Sequence, residues 1–144
     1  MNALHSRINP HFLYNALNSI ASLAHVDADK TENMATGLSE LFRYSINKEN
    51  KTFVTVAEEL EMVNRYLEIE KTRFGNRLVY VINADESTLE KQIPKFIIQP
   101  LVENAIKHGL SKIKDRGKVF IEVKQVKKDM TITIFDNGPD FPAE

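Results

Sequence analysis

Apolar residues recur at three- and four-residue spacing along the first third of the chain. At about 100° per residue, the apolar positions between residues 4 and 24 cover one half of a helical wheel. The opposite half carries the polar stripe His11, Asn15, Asn18 and Ser22. A second amphipathic stretch at residues 33–46 follows a polar turn at 25–30. The pattern predicts two helices that pack as an antiparallel hairpin.

A hairpin of two helices buries too little apolar surface to be stable alone. We therefore expect a second copy to cover it, which gives a homodimer built around a four-helix bundle. Each helix has an apolar stripe too wide for one neighbour, so we expect a charged residue in place of Leu41 to weaken the association. Polar residues at 47–52 mark a boundary, so we predict a helical domain at 1–49 and a second domain at 50–144.

The second part of the chain mixes helical and strand patterns, so the fold class is predicted to be α+β. Thr55 and Glu58 form a capping box that opens a helix, and Gly75 ends it. Pro94 suits the first turn of a later helix, with Pro100 inside it. The predicted elements are a strand at 53–56, helices at 56–74 and 94–108, and strands at 78–82, 118–126 and 130–136.

Composition narrows the classes of function. A net charge of −1, from 19 basic and 20 acidic residues, argues against a nucleic-acid-binding or anionic-membrane surface. The absence of cysteine excludes disulfides, thiolate metal sites and a cysteine nucleophile. No run approaches the roughly 20 apolar residues that span a bilayer. Composition therefore identifies no class of binding partner, and partners must be inferred from individual groups of residues.

His11 is the first candidate for chemistry. It follows Pro10 at the start of the first amphipathic helix and lies in the polar stripe. A neutral imidazole has one ring nitrogen with a free lone pair, so a displayed histidine is a candidate nucleophile. The alternative is an ordinary surface histidine.

A second group of polar residues shares one face of the later helix: Glu103, Asn104, Lys107 and His108. Asparagine offers an oxygen to Mg²⁺, and lysine and histidine donate to phosphate oxygens. Glutamate orients a water or accepts a proton. The alternative is a solvated helix face with a Glu103–Lys107 pair.

The last strand ends in a third candidate, Asp136 followed by Gly138. The pleat places the carboxylate of Asp136 on the same side as the apolar residues of the strand. It can accept a hydrogen bond from an adenine amino group, while Gly138 lets the backbone approach the ring. The alternative is an ordinary turn.

Together these motifs resemble LytS-like sensor histidine kinases over essentially the whole chain. INPHFLYN at residues 8–15 resembles the acceptor box, PLVENAIKHG at 100–109 the N box, and DNG at 136–138 the start of the G1 box. The resemblance implies a dimerising helical hairpin, followed by part of a Bergerat (GHKL-type) α/β sandwich that binds ATP and Mg²⁺.

The resemblance also implies a role for each candidate residue. His11 takes the γ-phosphoryl group of ATP and passes it to an aspartate of a response regulator. By the same resemblance, Asn104 holds Mg²⁺, and Lys107 and His108 contact the phosphates. Asp136 and Gly138 contact adenine, and Glu103 acts near the reacting centre. Phe12 stands where many histidine kinases have an acid, so the acceptor of the ring proton is open. Glu103 is one candidate, and Asn15 is suited to orient the ring.

Asp140 replaces the second glycine of the family pattern Asp-x-Gly-x-Gly, and we expect it to restrict the phosphate-side loop. We expect the G2 segment and the ATP lid after residue 144, and sensory, membrane-anchoring segments before Met1. The chain would then be the cytoplasmic portion of a bacterial sensor, inactive alone. The alternatives are a dimeric phosphotransfer or scaffold module with a degenerate nucleotide site, and a gyrase-type ATPase.

Overall fold

A computed structural model describes residues 9–46, 52–108 and 117–136 of the chain. These segments form four α-helices and five strands, which confirms the predicted α+β class. In chain order they are α1 (Pro10–Leu23), α2 (Ala28–Ser45), β1 (Phe53–Thr55), α3 (Val56–Phe74), β2 (Leu78–Ala84), β3 (Gln92–Pro94), α4 (Gln99–His108), β4 (Gly117–Val126) and β5 (Asp129–Asp136). None of the helices in these segments is both long and apolar enough to cross a membrane.

Helix α1 begins at Pro10, and the part of the predicted helix at residues 4–8 lies outside the described residues. Asn9 has an extended backbone with ψ of 120° and caps the helix, because its side chain accepts a hydrogen bond from the backbone N of His11. Proline is favoured at the first helical position, where its missing N–H costs nothing. The cap therefore fixes His11 in the first turn of the helix.

Helix α2 begins earlier than predicted, because part of the expected polar turn is helical. Asp27 caps the helix, and its side chain accepts a hydrogen bond from the backbone N of Lys30 at 3.1 Å. The exposed residues Asp29 and Lys30 thus lie in the first turn of α2, where polar side chains are ordinary. The connection to α1 is correspondingly short.

Helix α3 covers the hairpin from within the same chain. It packs against both α1 and α2, and the rings of Phe12 and Tyr66 lie 4.8 Å apart. Leu41, which was expected to face a partner copy, is only 3% exposed in the single chain. The expectation that Leu41 lies at a dimer interface is therefore wrong. The four-helix bundle and the domain boundary at residue 49 stay predictions.

The boundaries of α3 were predicted well. Thr55 and Glu58 form the capping box in both directions, and Gly75 ends the helix with a φ of 63°. A positive φ is readily adopted by glycine, which has no Cβ to clash with the backbone. The strong local signals at both ends explain the agreement.

The main sheet has the order β2-β4-β5, with β2 parallel to β4 and β5 antiparallel to it. Strands β1 and β3 form a separate antiparallel pair. Val119, Ile121 and Val123 of β4 are buried, and α4 packs against both β4 and β5. The predicted strands at 118–126 and 130–136 are confirmed, and α4 thus lies over the end of the chain that carries Asp136.

The helix predicted from Pro94 is wrong at its start. Pro94 belongs to β3 and pairs with Phe53, and α4 begins at Gln99. The carbonyl of Ile98 accepts from the backbone N of Leu101 at 3.0 Å, so Pro100 lies in the first turn. Proline in a helix interior removes a hydrogen bond and clashes with the preceding turn, which the observed start avoids. The predicted stop at Gly109 lies outside the described residues.

Glu59 on α3 is a fully buried carboxylate with four donors. The hydroxyl of Tyr44 on α2 donates to it at 2.6 Å. The backbone N atoms of Phe96, Ile98 and Gln99 donate at 3.3, 3.2 and 3.4 Å. One side chain therefore joins the end of the hairpin to the segment that leads into α4.

We predict that Glu59→Ala lowers the free energy of unfolding by at least about 3 kcal/mol, because it leaves two buried and two partly buried donors without their acceptor. Urea unfolding at pH 7 measures the change. The matched control is Glu61→Ala on the exposed side of the same helix, whose 3.7 Å pair with Arg65 is worth at most about 1 kcal/mol. Equal losses of unfolding free energy in the two variants would contradict a stabilising role of Glu59 through its four donors.

Candidate functional site

His11 is exposed in the first turn of α1, as its place in the polar stripe predicted. Its neighbours Phe12 and Ala16 are buried on the opposite face. The ring atom Nδ1 lies 3.3 Å from Nδ2 of Asn15, one helical turn later. The imidazole of His11 is thus exposed to solvent, and the side chain of Asn15 contacts it on one edge.

The amide of Asn15 can hold the His11 ring in either tautomer. With its nitrogen toward the ring, the amide donates to Nδ1, and the ring proton is on Nε2. With the amide rotated, Nδ1–H donates to the side-chain oxygen, and Nε2 keeps a free lone pair. The second arrangement leaves the exposed edge of the ring nucleophilic.

The sequence analysis missed a buried carboxyl group on α3. Glu70 on α3 is 3% exposed and accepts from the hydroxyl of Tyr66 at 3.1 Å and from Arg73 at 3.4 Å. Burial raises the pKa of Glu70, and the charges of Arg73 and His11 together with these hydrogen bonds oppose the shift. Its spacing of three from Leu67, on the apolar stripe of α3, is the signal that identifies a buried acid.

A polar groove of about 330 Å³ lies between α1 and α3. Asn15 and Arg73 line it from opposite helices, together with Asn18, Ser19, Ser22, Leu23 and Thr72. The ring partner of His11 and the cationic partner of Glu70 therefore share one surface depression.

Glu103 is half-buried on α4. Its carboxylate accepts from the side-chain amide of Gln99 at 3.2 Å. Burial raises the pKa of Glu103, the hydrogen bond from Gln99 opposes this, and the negative charge of Glu70 raises it further. Asn104 and Lys107 are exposed. Glu103 therefore does not share the exposed environment of Asn104 and Lys107, as the helical wheel suggested.

Asn104 and Asp136 come together at a second groove, of about 470 Å³, between α4 and β5. Its other lining residues are Leu101, Ala105, Ile132, Thr133 and Ile134. An apolar wall with an amide at one position and a carboxylate at another suits a purine base with a polar edge. The side chain of His108, Gly138 and Asp140 lie outside the described residues.

The donor set at this groove suits a magnesium ion carried by a nucleotide. Within residues 9–46, 52–108 and 117–136, no three acidic or histidine side chains are grouped to hold a metal. Mg²⁺ is commonly bound by one or two protein oxygens plus phosphates and water. The exposed amide of Asn104 fits that pattern as a single protein ligand.

The chain is similar over nearly all of its length to proteins that include named sensor kinases. It is 42% identical over 135 residues to the "Sensor histidine kinase BtsS" of Escherichia coli K12, covering 94% of this chain and 24% of that protein. It is 34% identical over 142 residues to the "Sensor protein LytS" of Enterococcus faecalis, covering 99% and 24%. A "Putative uncharacterized protein YwpD" of Bacillus subtilis is 41% identical, with 98% and 51% covered. The chain thus spans a quarter to a half of these relatives.

A solved structure, "1.7 Angstrom Structure of a Bacterial Phosphotransferase", aligns with a TM-score of 0.45 at 11% identity. The alignment covers 93% of this chain and 68% of that one. A likeness this weak carries no inference about fold or function.

The family comparison gives a direct assignment. The profile described as histidine kinase matches residues 1–78, which is more than half of the chain and includes the whole acceptor box. The LytS relatives confirm the resemblance that the three motifs indicated. The chain belongs to the histidine kinase family.

Proposed function

We propose that this chain is the kinase portion of a sensor histidine kinase in a two-component system. It transfers the γ-phosphoryl group of ATP to His11 and from there to an aspartate of a response regulator. The observation that carries the proposal is the exposed His11 ring at the capped start of α1, held by Asn15 at 3.3 Å. The family match to this segment supports it.

Phosphoryl transfer depends on positioning more than on covalent chemistry by the protein. The Asn9 cap fixes the backbone of His11, and Asn15 limits rotation of the ring. The bound nucleotide supplies the phosphoryl group. The role of this chain at His11 is to aim one ring nitrogen and to accept the proton from the other.

The groove between α4 and β5 is the proposed nucleotide site. Asp136 accepts from the exocyclic amine of adenine, and Leu101 and Ile134 contribute apolar walls. Asn104 is the proposed Mg²⁺ ligand at the same groove. From the resemblance, we assign Lys107 and His108 to phosphate binding. Gly138 lets the backbone approach the adenine ring, and Glu103 lies near the reacting centre.

A second copy of the chain is the proposed partner of α1. Tyr14 and Leu17 are 66% and 52% exposed, and Ala21 and Ala24 are exposed at the next positions of the same spacing. This apolar stripe faces away from α3, so a symmetric helix pairing would cover it. We propose that two hairpins meet through α1 in a four-helix bundle, with the division between the helical and nucleotide-binding domains near residue 49.

The proposed protein extends beyond this chain. The sensor relatives have only 24% of their length matched, which supports additional sensory segments in the same protein. We place this portion on the cytoplasmic side of a membrane-anchored bacterial sensor, where a response regulator can reach His11. Anchoring would then come from segments outside these 144 residues.

We predict that the protein containing this chain becomes labelled from γ-labelled ATP on His11. His11→Gln abolishes the label because the nucleophile is lost. His25→Gln, in the exposed turn after α1, keeps labelling within about twofold, since surface changes away from a site have small effects. Label that persists in His11→Gln contradicts the proposal. Label that comes only from a second kinase supports the phosphotransfer-module alternative.

We predict that Leu17→Glu raises the dimer dissociation constant at least about tenfold, because it puts two like charges into the α1 interface. Light scattering across micromolar concentrations measures the association. Val26→Glu is the control, because Val26 is more exposed, at 79%, and lies in the α1–α2 turn. A wild-type chain that stays monomeric, or equal association by both variants, would contradict the proposed interface.

We predict that Asp136→Asn weakens ATP binding by about 10- to 100-fold, the loss expected for one charge-assisted hydrogen bond. Calorimetry on the protein that contains this chain provides the measurement. Asp129→Asn, at the far end of the same strand, removes the same charge away from the groove and should leave binding unchanged. Equal ATP affinities of the two variants would contradict the assignment of the adenine site to this groove.

A further inference from the structure

The start of helix α4 is capped by a side chain from another helix. The first backbone N–H groups of a helix have no partner within it, and the helix dipole favours a negative charge near them. Oε2 of Glu59 on α3 accepts from the backbone N atoms of Ile98 and Gln99 at 3.2 and 3.4 Å. Both residues are buried, and the next residue, Pro100, has no N–H to offer. Glu59 therefore determines where α4 begins.

Tyr44, near the end of α2, binds the other oxygen of the same carboxylate. Its hydroxyl donates to Oε1 of Glu59 at 2.6 Å, and the backbone N of Phe96 donates to this oxygen at 3.3 Å. The rings of Tyr44 and Phe96 lie 5.3 Å apart in an edge-on arrangement. Burial, and then the hydrogen bond and charge of Glu59, raise the pKa of Tyr44, so the hydroxyl stays protonated and remains a donor. The hairpin and the segment before α4 thus meet at one oxygen atom.

The backbone of Phe96 is strained. Its φ of 66° is a left-handed conformation that is uncommon for a residue with a Cβ. Such a conformation persists where the surroundings hold it. On one side, the backbone N of Lys95 donates to the carbonyl of Thr52 at 2.9 Å. On the other side, Glu59 binds the backbone at Phe96 and Ile98. A weaker hold by Glu59 therefore lets the backbone between Lys95 and Ile98 relax.

We propose that Tyr44 is a positioning residue for the nucleotide site, and that the helical hairpin regulates nucleotide affinity through it. This inference rests on the proposed function, in which the groove between α4 and β5 binds ATP. Asn104, the proposed Mg²⁺ ligand, follows Gln99 by about 7.5 Å along the axis of α4. A shift at the start of α4 therefore moves Asn104 relative to Asp136, which lies on β5.

The structure also gives the direction of the effect. The arrangement in which Tyr44 bonds to Glu59 is the one in which Asn104 and Asp136 line a common groove. A movement of α2 that withdraws the Tyr44 hydroxyl should therefore lower nucleotide affinity. Because coupling between two sites is reciprocal, bound nucleotide should in turn favour the position of α2 in which this hydrogen bond is made.

Calorimetry on the protein that contains this chain tests the hydroxyl alone, with a non-hydrolysable ATP analogue and Mg²⁺ as the probe. Tyr44→Phe keeps the ring and should raise the dissociation constant about 5- to 20-fold, the lower part of the range for coupled sites. Tyr80→Phe is the matched control, because Tyr80 is also partly buried and its hydroxyl also bonds to α3, at 3.2 Å from Asn64. It should keep the dissociation constant within about twofold of wild type. Equal constants for the two variants overturn the inference.

Amide hydrogen exchange tests the reciprocal effect, which a purely structural role of Tyr44 would not produce. Ile46, at the end of α2, donates its backbone N–H to the carbonyl of Phe42 at 3.0 Å. In wild type, the bound analogue should slow exchange of this amide, because it stabilises the position of α2 that is bonded to Glu59. In Tyr44→Phe this slowing should be lost. Slowing of the same size in both proteins, or in neither, overturns the inference.

Failure of this inference is distinguishable from failure of the proposed function. If Asp136→Asn and Asp129→Asn bind the analogue equally well, the groove is not the nucleotide site, and the inference falls with it. If Asp136→Asn alone weakens binding while Tyr44→Phe matches Tyr80→Phe, the nucleotide site stands. In that case Tyr44 is a structural residue only.

Discussion

The arrangement of the chain depends on the buried carboxylate of Glu59. A carboxylate without water is stable only if its oxygens are well supplied with donors. Here Tyr44 supplies one donor from the end of α2. The backbone N atoms of Phe96, Ile98 and Gln99 supply the other three. The backbone at Phe96, with a φ of 66°, turns so that these groups converge on α3. The start of α4, and with it Asn104, is positioned by this one interaction.

Helix α3 is consequently the common support of both candidate sites. On one side it packs on the hairpin through Tyr66 and Phe12, and on another it anchors the segment before α4 through Glu59. Its second buried acid, Glu70, raises the pKa of Glu103 on α4 through its negative charge. A displacement of the hairpin relative to α3 therefore changes the surroundings of His11 and of the nucleotide-binding helix together.

The sequence predicted the elements whose signals are local. The α3 helix carries its own capping box and ends at Gly75, and β5 alternates toward Asp136, so both were predicted correctly. Strand β3 was missed because three residues become a strand only by pairing with β1, far away in sequence. The pairing of Leu41 was misjudged for the same reason: a helical wheel gives the buried face but not the element that covers it. The candidate motifs were identified from residue types, whereas the groove shared by Asn104 and Asp136 depends on how α4 packs on β5.

Two buried glutamates on one helix have different chemistry because they have different partners. Glu59 receives four donors, all of them neutral, from parts of the chain that must stay fixed, so it is saturated as a structural acceptor. Glu70 receives two donors, and one of the remaining charges near it belongs to the exposed ring of His11. The number and position of the donors thus distinguish the two acids: Glu59 joins parts of the chain that are far apart in sequence, whereas both donors to Glu70 lie on α3 itself.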